Sequence, residues 1–292
     1  MIKIPLLASG LNGLVGSRFK LDFENKYEFQ NLDLRDPKNP VDITNFDQVL
    51  NFFKQSKAKF ILHLAAFTDV TAAYKQYQDE NGSCYRVNVL GTKNIVKACE
   101  ETNKFLIHIS TSYIFDGEKK EPYLETDRGG SKDWYGQTKY LAEEIVKKSN
   151  LNWTILRIDQ PFRSDKFEKQ DSVHKIFENL KNNSLYPQFT NHYFSPTYIN
   201  DLVKIFDWII RTKTTGIFHA SSGETWTDYD FAELINQALN LKKQVKKTNL
   251  YEYLKTVDRP YLKNTSLNCD KLKKVLDFKM LSIGEAIKRV KV

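Results

Sequence analysis

Lys3-Ile4-Pro5-Leu6-Leu7-Ala8-Ser9-Gly10-Leu11-Asn12-Gly13-Leu14-Val15-Gly16 is the stretch that decides the fold. Residues 3–8 are an apolar run of strand length. Three glycines at G-x-x-G-x-x-G spacing follow at once, and residues 14–21 carry a helical pattern. A tight turn of this kind brings backbone N–H groups and a helix N-terminus up to a pyrophosphate, and side chains at the glycines would block the approach. A glycine triplet alone is a weak signal. A strand before it and a helix after it are the context that gives it meaning. Gly10, Asn12, Gly13, Leu14, Val15 and Gly16 are therefore the expected dinucleotide cradle.

Outward from this turn, strand and helix patterns alternate. Residues 27–32 read as a strand and 46–56 as a helix with Thr44 or Asn45 as its N-cap. Residues 59–65 read as a strand, 87–102 as a helix, 104–110 as a strand, 135–148 as a helix and 153–157 as a strand. Alternation of this kind means right-handed crossovers and a parallel sheet covered on both faces. The expected class is α/β, a Rossmann-type doubly wound sheet. Beyond residue 160 the pattern loosens. Residues 173–180 and 202–210 look helical, 216–221 look like a strand, and Thr227 is placed to cap a helix. The expected division is a dinucleotide-binding domain over 1–160 and a smaller α/β substrate lobe over 161–292, partly interleaved with the first.

Composition narrows the classes. A chain of 292 residues with 41% hydrophobic side chains can bury one large core or two modest ones. With 27% charged and 13% aromatic residues it is not a disordered chain. No apolar run nears the roughly 20 residues that cross a bilayer, and the N-terminal run is too short for a signal peptide. Cys84, Cys99 and Cys269 are scattered, without any Cys-x-x-Cys pair. That excludes a disulfide framework and a thiolate zinc site, and it points to a reducing compartment, the cytoplasm. No histidine pair has metal-ligand spacing, so no metal is expected. The net charge of +8 is concentrated in residues 241–292, where 14 basic side chains face 5 acidic ones. This is either a solvated lysine-rich face or a basic lobe that attracts an anionic small molecule. No nucleic-acid module accompanies it, so nucleic acid is not an expected partner.

Two further features carry chemistry. Asp33 follows the second strand, where a carboxylate accepts hydrogen bonds from an adenosine ribose. That favours NADH, although Arg35 close by suits a 2′-phosphate, so NADPH stays open. Tyr135-Gly136-Gln137-Thr138-Lys139 puts a phenol and an ammonium one helical turn apart, an arrangement that tunes the phenol proton. A second Tyr-x-x-x-Lys at Tyr251 and Lys255 lies far from the glycine turn and reads as a surface coincidence. His63 and His108 sit inside apolar strand runs and read as satisfied core histidines.

Four segments together resemble the extended short-chain dehydrogenase/reductase family, most of all its dTDP-4-dehydrorhamnose reductase-like, sugar-nucleotide reductase branch. They are the glycine turn, Val41-Asp42-Ile43-Thr44-Asn45, Ile109-Ser110-Thr111-Ser112-Tyr113-Ile114-Phe115-Asp116-Gly117, and Tyr135 to Lys139. Val87-Asn88-Val89-Leu90-Gly91-Thr92, Ser195-Pro196-Thr197, Gly216-Ile217-Phe218-His219 and Arg259-Pro260 extend the likeness over nearly the whole chain. The resemblance implies Thr111, Tyr135 and Lys139 as the catalytic set. Tyr135 would protonate the nascent alkoxide, Lys139 would tune it and hold the nicotinamide ribose, and Thr111 would bind the substrate carbonyl. Asp42 and Ile43 would lie by the adenine, and Leu64, Ala65, Ala66 and Phe67 would line the cofactor. Thr68, Ser112, Thr111 and Tyr135 would meet the substrate. The implied reaction is NAD(P)H-dependent reduction of a nucleotide-linked 4-keto-6-deoxy sugar, with the nucleotide sugar as partner and a homodimer left open.

The chain departs from the branch on the substrate side. Ser112 stands where an Asp is usual, Phe67 where a His is usual, and Thr71 where an Asp is usual. The run Leu156-Arg157-Ile158-Asp159-Gln160-Pro161-Phe162 lacks the usual aromatic contact. Two related readings remain: an epimerase with tightly held NAD, and a non-catalytic NAD(P)-binding regulatory subunit. Dehydration would need an acid pair where Ser112 and Tyr113 stand.

Overall fold

The computed structural model describes residues 2–36 and 39–292. Six parallel strands form the central sheet: β1 (Ile4–Ser9), β2 (Tyr27–Leu32), β3 (Phe60–His63), β4 (Phe105–Thr111), β5 (Trp153–Ile158) and β6 (Gly216–His219). Their order across the sheet is β6-β5-β4-β3-β1-β2. The chain thus steps from β1 to β2 on one side, then returns past β1 to build the other side. The crevice above the β1/β3 junction is the switch point at which open parallel sheets bind ligands. Strand β6 comes from the C-terminal half and pairs with β5, Phe218 opposite Leu156.

Helices cover both faces. One is packed by α2 (Phe46–Gln55), α3 (Thr92–Thr102) and α4 (Trp134–Lys147), whose apolar residues join Leu7, Ile61, Leu106 and Ile155 in a core. The other carries α1 (Leu14–Phe23) and α6 (Ile199–Thr212), with Phe19 and Phe206 packed edge to face. A further core lies in the C-terminal half. There α5 (Ser172–Lys181) and α7 (Asp228–Ala238) enclose Phe162, Phe177, Phe194 and Phe231.

Local signals explain the ends of these elements. Asn45, rather than Thr44, caps α2 by accepting from the Gln48 amide, and Thr227 caps α7 at the Asp230 amide. Strand β3 is shorter than its apolar run: it ends at His63, and the backbone of Leu64 and Ala65 passes close to Gly10. The helix expected over 87–102 begins as a π-helical segment, Arg86–Gly91, before α3. The wider turn carries Asn88, which faces the loop after β3.

A buried ion pair fixes α4 to the sheet. Glu143 on α4 receives both arms of Arg157 on β5, at 3.0 and 2.8 Å. Both side chains are almost wholly buried, so neither charge has water as an alternative partner. Replacing Glu143 by Ala leaves the guanidinium buried and unpaired. The expected loss is about 3–5 kcal/mol of unfolding free energy, read from denaturant melts of the two proteins. A loss below about 1 kcal/mol would place the pair in a solvated setting.

Candidate active site

The glycine turn builds the floor of the crevice. Gly10 has φ +70°, and a Cβ there would lie 2.7 Å from the Ala65 amide nitrogen. Glycine is thus needed twice at this position, for its backbone angle and for the close passage of the loop after β3. A Cβ on Gly16 would meet Leu11 Cα at 2.6 Å, so the turn closes tightly onto α1. Gly13 is the N-cap of α1 and supplies no side-chain cap. The first amides of α1 therefore point outward without a capping oxygen, as an anion requires. Asn12 and Gly13 are exposed, and Leu14 and Val15 are half-buried on the first turn. These features fit a dinucleotide whose pyrophosphate sits on the turn.

Around this floor, Asp33 is half-buried and accepts the Arg35 amide on Oδ1 at 2.9 Å. Asp42 uses Oδ1 to hold the amide and hydroxyl of Thr44, each at 2.8 Å. Ile43 is buried beside Gly91, where a Cβ would lie 2.7 Å from Ile43 Cδ1. Leu64, Ala65, Ala66 and Phe67 are half-buried along the edge of the crevice. Asn88 clamps this loop by accepting from the Phe67 amide at 2.8 Å and donating to its carbonyl at 3.2 Å. It also donates to Thr138 Oγ1 on α4 at 3.0 Å, so the loop after β3 and α4 share one buried amide. Behind it, Ser9, His63 and Thr92 form a buried chain, with His63 Nδ1 2.6 Å from Ser9 Oγ and Nε2 3.1 Å from Thr92 Oγ1. Burial, with Lys139 adding to it, pulls the His63 imidazole down to about 3. It is neutral and structural.

Thr111, Tyr135 and Lys139, the expected catalytic set, lie at the end of β4 and the start of α4. Thr111 ends β4, and its hydroxyl accepts the Tyr113 amide at 3.2 Å. Tyr135 opens α4, buried against Tyr113 with ring centroids 5.9 Å apart. Burial raises the phenol's proton affinity, and the Thr111 hydroxyl beside it pulls the other way. Thr111 and Tyr135 thus share one place. Lys139 follows one turn later, almost fully buried, and its Nζ donates to the Ile109 carbonyl at 2.7 Å. Burial brings this ammonium down to about 8, with Glu143 and Cys84 opposing the fall. Gly136 makes the docking possible. A Cβ there would run into the Tyr113 carbonyl oxygen and Ser131 Oγ. Trp134 is packed between Tyr85, stacked at 6.2 Å, and Tyr77 at 5.9 Å.

On the substrate side, Ser112 is buried directly beyond Thr111. Thr68 is exposed and accepts Lys169 Nζ at 3.2 Å, while Thr71 accepts Arg259 Nη1 at the same distance. Two side chains of the C-terminal half therefore reach across, one to the loop after β3 and one to the short helix Val70–Tyr74 that follows it. Tyr251 is exposed and Lys255 pairs with Glu252 on the surface. His108 differs from the expectation of a satisfied core histidine. Neither ring nitrogen has a partner among the described residues, although the side chain is fully buried. Its neighbours along the strand, Ile107 and Ile109, are apolar, and across the sheet it faces Ile155 and the His63 ring, 5.3 Å away, whose nitrogens are taken by Ser9 and Thr92. Among the described residues no cluster of three His, Cys, Asp or Glu side chains is arranged to hold a metal.

Two hollows lie elsewhere. One of about 340 Å³ is lined by Phe60, Lys104 and Phe105, and one of about 590 Å³ by Leu276, Phe278 and Met280. Neither contains a residue of the set described above. Strand topology and converging donors, rather than hollow size, locate the site.

Comparison with known proteins agrees with this geometry. The family model described as the RmlD substrate binding domain matches residues 4–291. The dTDP-4-dehydrorhamnose reductase of Aggregatibacter actinomycetemcomitans is 29% identical, over 98% of each chain. A crystal structure of the dTDP-4-dehydrorhamnose reductase of Bacillus anthracis in complex with NADP superposes with a TM-score of 0.88, at 26% identity, covering 99% of this chain and 98% of that one. The methionine adenosyltransferase 2 subunit beta of Pongo abelii is 26% identical over 93% of this chain and 83% of its own. With the match running almost from end to end, the chain belongs to the RmlD substrate-binding-domain family, within the extended short-chain dehydrogenase/reductases.

Proposed function

We propose that this chain uses NAD(P)H to reduce the keto group of a nucleotide-linked 4-keto-6-deoxy sugar of the dTDP-4-dehydrorhamnose type. The observation that carries the reading is that Thr111, at the C-terminal end of β4, and Tyr135 both pack on Tyr113, with a buried ammonium one helical turn further on. In this reading residues 1–160 hold the cofactor and residues 161–292 the sugar. Gly10, Asn12, Gly13, Leu14, Val15 and Gly16 hold the pyrophosphate, Asp33 the ribose, and Asp42 and Ile43 the adenine side. Leu64 to Phe67 and Lys139 hold the nicotinamide end. The bound reduced nicotinamide supplies the hydride.

The chain's own residues supply the rest. The Thr111 hydroxyl accepts the Tyr113 amide and in this reading turns its own proton to the substrate carbonyl oxygen. Tyr135 keeps its proton at neutral pH, because burial raises its proton affinity. As negative charge grows on the carbonyl oxygen, Thr111 stabilises it and Tyr135 delivers the proton. The Lys139 ammonium then faces a phenolate in a dry setting, where one charge offsets the other. Thr68 and Ser112 complete the sugar pocket in this reading. The free, buried cysteines suit a reducing compartment, which we take to be the cytoplasm.

The likeness to a methionine adenosyltransferase beta subunit favours one second reading, a dinucleotide-binding subunit without turnover. Activity separates the two. With NADH and a dTDP-4-keto-6-deoxy sugar, Tyr135→Phe is expected to lower kcat by about 10²–10⁴-fold while NADH still raises Tm. Unchanged turnover removes Tyr135 from the reaction. Wild-type binding of NADH with no turnover of any nucleotide-sugar ketone supports the second reading.

Cofactor choice is placed on Asp33. Its carboxylate accepts from ribose hydroxyls and repels a 2′-phosphate, so NADH is the preferred donor. Asp33→Ala is expected to lower the NADH to NADPH ratio of kcat/KM by about tenfold or more. A ratio that does not move would transfer the choice to Arg35.

A further inference from the structure

Asp159 is a buried carboxylate that the reduction described above does not use. The register of β4 and β5 pairs Thr111 with Ile158, so Ser112 and Asp159 are the next residues off the sheet, side by side. The C-terminal half encloses Asp159. Its amide donates to Thr197 Oγ1 at 3.1 Å, and its carbonyl accepts the same hydroxyl at 2.7 Å. Oδ2 accepts the Ser195 amide at 3.0 Å and the Thr265 hydroxyl at 2.8 Å. Oδ1 is left over. It is shielded from solvent and completes no hydrogen bond, and the same holds for Ser112 Oγ. Yet Ser112 is near enough to favour the ionised carboxylate. The charge of Asp159 in turn acts on both Tyr135 and Tyr113.

A fixed negative charge at this place opposes the chemistry. The reducing step builds negative charge on the carbonyl oxygen held by Thr111 and Tyr135, and like charges in a dry site repel strongly. A neutral carboxyl has no such effect. We propose that Asp159 is a positioning residue that controls the charge beside the Thr111–Tyr135 donors, so that the protonated form favours reduction and the ionised form slows it. This deepens the reductase reading and rests on it. Its ionisation is set by burial, which brings the carboxyl up to about 6, against the pull of the Ser195 amide, Thr265 and Ser112. The titratable groups facing it are His192, Tyr135 and Tyr113.

The test compares wild type with Asp159→Asn, which keeps the shape and an acceptor for Ser195 but has no charge, and with Ser112→Ala. Tyrosine labelled with ¹³C at Cζ reports the state of Tyr135, assigned by the loss of its signal in Tyr135→Phe. The wild-type Tyr135 signal is expected to inflect near 6, the inflection to vanish in Asp159→Asn, and to move to higher pH in Ser112→Ala. For turnover with NADH and a dTDP-4-keto-6-deoxy sugar, wild-type kcat is expected to fall as pH rises through about 6. Asp159→Asn is expected to be flat over the same range and about tenfold faster than wild type at neutral pH. A Tyr135 signal that ignores Asp159 overturns the proposal, and so does a variant whose kcat profile matches wild type. An inflecting Tyr135 signal in a protein that turns over no nucleotide-sugar ketone supports the control of charge and counts against the reductase reading alone.

Discussion

No side chain fits at position 136. The backbone of α4 lies against the Tyr113 carbonyl there, and that contact brings Tyr135 onto the end of the strand that carries Thr111. Every feature of the site depends on this close approach. The Glu143–Arg157 pair holds the helix one face further along, and the Lys139 ammonium ties it to Ile109 on the same strand. Three contacts at successive turns leave α4 one seating, and packed interiors do not deform gradually. The placement of the phenol is therefore a property of the sheet as much as of the helix.

The cofactor side follows the same logic. Gly10 admits the loop after β3, Asn88 clamps that loop, and the same Asn88 reaches Thr138 on α4. The loop after β3 and α4 are connected through one buried amide. A shift of either would break hydrogen bonds that no water can replace, at a cost of about 1–3 kcal/mol for each unsatisfied group. The loop after β3 and α4 are thereby held in one fixed relation.

Much of the frame was legible in the sequence. Periodicity and caps placed β2 at residues 27–32 and α2 from residue 46, and glycine spacing marked the β1/α1 turn. The Tyr-x-x-x-Lys at residue 135 was separated from its copy at 251 by position alone. What stayed hidden depends on distance along the chain. Asn88 looks like one polar residue in a helical run until Phe67 and Thr138 are seen beside it. Gly136 reads as a weak helix residue, because the contact that requires it comes from Tyr113. Asp159 and Ser112 are joined by strand register, which neither local pattern contains. His108 departs from the sequence expectation because an apolar strand context says nothing of whether a ring nitrogen finds a partner.

The most direct measurement of the central arrangement is a crystal structure of the chain with NADH and dTDP bound. The expected result has the pyrophosphate on the turn at Gly10 to Gly16 and the nicotinamide ribose on Tyr135 and Lys139. Thr111 and Tyr135 would then face the same side of the nicotinamide ring. A dinucleotide bound elsewhere, or a nicotinamide out of hydrogen-bond reach of both Tyr135 and Lys139, would contradict the account.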